Sequence, residues 1–105
     1  MRRRLRIKVT EEDILRSRRN MEDPLKSFNR SYYCPIASAA NREFPGCYAF
    51  VGRGYLTITY YRNAIFYAGM SVKFSLSRQN KIFMRDFDVG KVVKPAVFIL
   101  ERETD

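Results

Sequence analysis

The chain has 105 residues, 46% apolar and 30% charged, a composition that folds as one globular domain and excludes intrinsic disorder. Twenty Lys and Arg stand against eleven Asp and Glu, with no histidine, for a net charge of +9. The surplus favours polyanionic partners, and the missing imidazole removes the usual general base and the commonest nitrogen ligand for metals.

The longest apolar runs, 64–68 and 96–100, are strand-length and too short to span a bilayer. No apolar segment follows the Arg-rich start, as a secretory signal requires. A cytoplasmic protein with no membrane attachment is the expectation. The chain reads as a single domain, 1–105, with 1–4 and 101–105 frayed.

Leu5, Ile7 and Val9 alternate with Arg4, Arg6 and Lys8, the period of a half-buried strand. Thr10 is a helix N-cap, with Glu11, Glu12 and Asp13 in the first turn and Val9 and Ile14 at the two staple positions. That helix is expected to end near Arg19. Pro24, Asn29 and Ser31 break the stretch 20–33, where Phe28, Tyr32 and Tyr33 tuck it onto the body. Pro35 opens a second helix whose face of Ile36, Ala37, Ala39 and Ala40 suits close approach to a sheet, and Pro45 and Gly46 end it. Such a helix would separate Cys34 from Cys47 by roughly 15 Å. A disulfide needs Cα atoms within about 7 Å, so free thiols are expected.

Three strands follow: 47–51, then 55–61 after the turn Gly52-Arg53-Gly54, then 64–68 after a hairpin at Arg62 and Asn63, with Gly69 ending the last. Ser75 or Ser77 caps a final helix with a stripe of Ile82, Phe83 and Phe87, and Gly90 suits its C′ position. Pro95 precedes a strand at 96–100. The fold class is therefore α+β: a small, mainly antiparallel sheet with helices packed on one face, in the order β-α-α-β-β-β-α-β.

Three blocks carry a resemblance. They are Ile7-Lys8-Val9-Thr10 with Asp13 and Ile14; Cys34-Pro35-Ile36-Ala37 with Ala39; and Phe87-Asp88 with Gly90, Lys91, Val93, Lys94, Pro95 and Phe98. Together they resemble a group of small phage- and prophage-encoded proteins. The resemblance implies a viral accessory protein acting in a host cytoplasm, with no activity, cofactor or catalytic residue to carry over. The segment between Ile14 and Cys34 is longer here than in the group's usual pattern.

Several features could carry function. In an extended strand Arg2, Arg4, Arg6 and Lys8 share one face, spaced by roughly 6.6 Å, close to the phosphate spacing of an extended strand of nucleic acid. Arg16, Arg18 and Arg19 extend the patch. Protection of an edge strand is the competing explanation, but the charge surplus exceeds what an edge requires. Tyr55, Thr57, Thr59 and Tyr61, flanked by Arg53 and Arg62, form a stacking platform or protein interface, or simply reflect ordinary strand composition. Tyr48-Ala49-Phe50-Val51 matches the middle of an RNA-recognition-motif signature, but Cys47 and Arg53 break its flanks and the strand order differs.

Cys34, at a helix start but without a histidine to serve it, reads as a capping cysteine in preference to a nucleophile. Asp86 and Asp88, two apart on a helix, do not face each other. Two cysteines without histidine cannot build a closed structural zinc site without carboxylates, and no Gly-rich phosphate loop is present, so no catalytic residue, metal or cofactor is expected. The expected partner is DNA or RNA. The alternative is a host protein, bound by an inhibitor of defence or transcription machinery through the Tyr-rich face, with a homodimer through that face as the plainest version.

Overall fold

In the computed structural model, residues 3–26, 30–52, 54–62 and 65–103 are described, with residues 30, 60–62 and 65–70 described by their backbone alone. The alternation around Ile7 forms strand β1 (Arg4–Val9), buried on Leu5, Ile7 and Val9 and exposed on the three cations. Thr10 caps helix α1 (Glu11–Glu22), with a reciprocal capping box to Asp13. A short helix α2 (Arg30–Tyr33) is an addition to the expected order, and α3 (Pro35–Glu43) follows with Cys34 as its N-cap. Strands β2 (Cys47–Gly52), β3 (Tyr55–Arg62) and β4 (Ile65–Ser75) form a meander; α4 (Arg78–Asp88) and β5 (Ala96–Arg102) complete the chain.

The five strands make one curled antiparallel sheet, a half-barrel in the order β1-β5-β4-β3-β2, with helices packed against it. β4 and β5 pair through Phe74↔Arg102 and Ser75↔Glu101, with one more bond from Glu103 N–H to the Lys73 carbonyl at 2.9 Å. This narrow seam joins a β1–β5 ribbon to the β2–β3–β4 meander.

Several boundaries differ from the sequence reading, α1 among them: it runs to Glu22, past the expected end near Arg19. β4 runs through Gly69 to Ser75 because its ladder with β3 continues from Thr59↔Ser71 to Tyr55↔Ser75, and pairing outweighs the weak strand propensity of one glycine. The register shifts between Thr59 and Tyr61, marking a bulge. β5 continues to Arg102, whose N–H donates to the Arg3 carbonyl, which ties the described ends of the two strands together; residues 1–2 and 104–105 of the stretches expected to fray lie outside the described residues. In α4 the buried stripe is Asn80, Phe83, Met84 and Phe87, and Ile82 is exposed. Ile82 lies off the 3.6-residue period those four positions share.

Helices α1, α3 and α4 cover one face of the sheet through Ile14, Ile36, Ala37, Ala39, Ala40 and Phe87. The alanines bring α3 close to the strands, and Ser17 and Ser38 join α1 to α3 by a buried hydroxyl contact of 3.0 Å. At the end of α4, Gly90 has φ of +84° and closes a Schellman motif: Gly90 N–H donates to the Phe87 carbonyl and Lys91 N–H to the Asp86 carbonyl. Both cysteines are free thiols, as expected.

Candidate nucleic-acid interface

Because strand side chains alternate, the face opposite the helices is set by register. On β1 and β5 the outward pairs are Arg4↔Glu101, Arg6↔Ile99 and Lys8↔Val97. The cation row is therefore in place and interleaved with two half-exposed apolar side chains. Arg4 sits 3.5 Å from Glu101, an exposed pair that solvent weakens. Arg6 and Lys8 have no side-chain ion pair among the described residues. β1 is an edge strand, but at Lys8 that edge is closed. Lys8 N–H donates to Glu43 Oε1 at 3.1 Å, and Arg42 Nη2 donates to the Lys8 carbonyl at 2.7 Å.

The helical cations do not extend this row. Arg18 donates to the Phe87 and Lys91 carbonyls and lies over the Phe87 ring at 4.0 Å, fastening α1 to the end of α4. It is a structural residue, since a guanidinium used on two carbonyls and a ring is not free for phosphate. Arg16 binds the buried Asp13 carboxylate at 3.2 Å. Arg19 is exposed but belongs to the helical layer, across the sheet from Arg4, Arg6 and Lys8. Arg53 lies outside the described residues, as do the side chains of Tyr61 and Arg62; the backbone pairing Arg62↔Ile65 forms the β3–β4 hairpin.

The tyrosine face also differs from expectation. Thr57 and Thr59 are each only 5% exposed. Their cross-strand neighbours, Phe50 and Tyr48 on β2 and Lys73 and Ser71 on β4, cover them, and Thr59 Oγ1 meets Ser71 Oγ at 2.8 Å. Tyr55 donates its hydroxyl to Glu103 Oε1 at 3.2 Å, which with the nearby carboxylate charge raises its phenol pKa. The Lys73 ammonium lies 5.5 Å from the Tyr55 ring centroid. Helix α2 borders β2: Tyr32 meets Tyr48 edge-on at 6.4 Å and Phe50 at 5.5 Å.

Between these groups is a recess of about 610 Å³, lined by Ser31, Phe50, Gly52, Tyr55, Thr57 and Lys73. Sequence reasoning met Tyr48 and Phe50 only in the broken RNA-recognition-motif signature and set them aside, and it missed Lys73. The signal was present: the antiparallel register of a short hairpin puts every second residue of β2 beside the tyrosine face of β3.

Two other groups need a chemical account. Asp13 is fully buried; burial alone would raise its pKa, yet the Arg42 hydrogen bonds, the Thr10 backbone and side-chain bonds and the Arg42 charge outweigh this and hold it below 3.8. Cys34 caps α3 by accepting from Ala37 N–H at 3.4 Å. There burial outweighs the helix terminus and pushes the thiol up to about 12. Near neutral pH Cys34 is therefore held as the thiol, not the thiolate nucleophile. A disulfide reagent is expected to modify half-buried Cys47 first and Cys34 only on unfolding. Labelling of native Cys34 at the rate of a free thiol would contradict this.

Among the described residues no group of three or more Cys, Asp or Glu side chains is placed to hold a metal ion, and no helix is long and apolar enough to cross a membrane. Comparison with protein-family profiles, with curated proteins and with solved structures finds no match for the chain.

Proposed function

We propose that this protein is a non-enzymatic accessory protein, of the phage type its sequence blocks suggest, that binds nucleic acid or a nucleoprotein in the cytoplasm through the open sheet face. One observation carries the reading. The helices bury one face of the sheet, and the other keeps the row Arg4, Arg6 and Lys8, with Lys73 beyond it, against two carboxylates, Glu101 and Glu103. Cations repeating at roughly 6.6 Å match an extended phosphate backbone, and Tyr48, Phe50 and Tyr55 offer rings on the same face.

Affinity for labelled DNA or RNA is then expected to fall steeply with salt, by close to one unit of log K per unit of log salt for each phosphate neutralised. Arg6→Glu with Lys8→Glu is expected to reduce both the affinity and that slope. Fluorescence anisotropy across a salt series measures both, and a salt-independent affinity would sink the idea.

A second reading has its own support. Val97 and Ile99 are 46% and 52% exposed beside the cations, a mixture that also suits a host protein with an acidic, partly apolar surface, or a second copy of this chain. Ile99→Asp should break such a complex, whereas the nucleic-acid reading rests on Arg6 and Lys8.

A further inference from the structure

The recess on the open face has a shape and chemistry that the cation row does not require. Its walls are two aromatic rings, Phe50 from β2 and Tyr55 from β3, and between them in the sheet lies Gly52, cross-strand from Tyr55. With no side chain at Gly52, the space between the rings stays open. A Cβ placed there would meet only Ser31 Oγ, at 3.7 Å, so packing does not demand glycine.

Thr57 lines the same space, 5% exposed, and neither its hydroxyl nor that of Ser31 has a hydrogen-bond partner among the described residues. Lys73 adds a cation, and the recess falls within the size range of small-ligand sites.

Resting on the nucleic-acid reading above, we infer that this recess holds one unpaired base of a single-stranded nucleic acid, packed against Phe50 and Tyr55, with Lys73 on the adjoining phosphate. A base has π faces for the rings and donor and acceptor edges for the two hydroxyls; bases paired and stacked in a duplex present neither to such a recess. Lys73 is two strands from the β1 row, roughly 10 Å, so a strand seated in the recess reaches Arg4 and Arg6 within a nucleotide or two. The carboxylates on that path, Glu101 and Glu103, are tied to Arg4 and Tyr55.

The test compares anisotropy titrations of labelled oligothymidylate, oligouridylate, a matching abasic strand and a duplex at one salt concentration. Oligothymidylate or oligouridylate is expected to bind about tenfold tighter than the abasic strand, and tighter than the duplex. Gly52→Val fills the recess and should erase that tenfold difference without changing abasic binding; Phe50→Ala should do the same by removing one wall. Thermal melting checks that each variant folds, and Gly52→Ala is the milder substitute.

Equal binding of abasic and base-bearing strands, or an undiminished preference in folded Gly52 and Phe50 variants, overturns the inference while leaving the electrostatic reading standing. Absence of binding to any polymer at low salt overturns both.

Discussion

Replacing Arg42 with alanine is expected to lower the unfolding free energy by about 3 kcal/mol, the lower end of the cost of breaking a buried ion pair. Asp13 is fully buried at the start of α1. Its Oδ2 accepts from Arg42 Nη2 at 2.9 Å and from Thr10 N–H at 2.9 Å, and its Oδ1 accepts from Arg42 Nε at 3.2 Å. The same guanidinium donates to the Lys8 carbonyl, so one side chain at the end of α3 holds α1 and the edge of β1 together. Without it the buried carboxylate keeps only the Thr10 N–H and the Arg16 guanidinium as partners. The loss falls at the low end because Arg42 is 39% exposed and Arg16 remains.

Urea unfolding measures the change; a loss below about 1 kcal/mol would show that the pair carries little. The pH dependence has a definite sign. The native Asp13 pKa lies below 3.8, so its stabilisation is fully present above the unfolded value and is lost as pH falls through the native one. In Arg42→Ala burial is no longer opposed by that guanidinium, so the Asp13 pKa should rise and acid unfolding begin at higher pH.

Phe74→Ala is expected to cost about 3–5 kcal/mol, enough to leave a domain of this size marginal or unfolded. Among the described residues Phe74 is the largest fully buried side chain, and it sits at the narrow seam where β4 meets β5. The substitution leaves a cavity under the two register pairs joining the ribbon to the meander. Chemical denaturation should show the loss, and hydrogen exchange should show β5 amides losing protection. A stable variant with unchanged β5 protection would show that the seam is held by other contacts. Phe74→Leu, which keeps most of the volume, should recover much of the stability.

Much of the fold was legible because local rules and burial agreed. The alternation in 5–9, the Thr10 cap, the alanine face of α3, and Ser77 and Gly90 at the two ends of α4 each have a local physical signature that the structure repeats. The candidate site was legible only in part. Arg4, Arg6 and Lys8 lie on one face because a strand's period is two. Arg16 and Arg18, read as more of the same charge, are used up by Asp13 and by the end of α4. Arg16 lies three residues from Asp13, a helix-surface spacing the sequence offered, whereas the two carbonyls that claim Arg18 lie 69 and 73 residues away and are invisible in the sequence. Phe50 was set aside with the broken motif and Lys73 went unnoticed for a related reason: each sits on a strand flanking β3, and their meeting with Tyr55 depends on register.

The amino-acid sequence by itself determined the charge, the α+β class, the type of nearly every element and which side of β1 faces the core, because these follow from composition and from periods of 2 and 3.6 residues. The tertiary structure alone decided which cations stay free, how Asp13 is kept ionised in a buried position, and that a recess opens beside Gly52. Each of those depends on groups distant in the chain meeting in space, where burial and partner geometry set the energies.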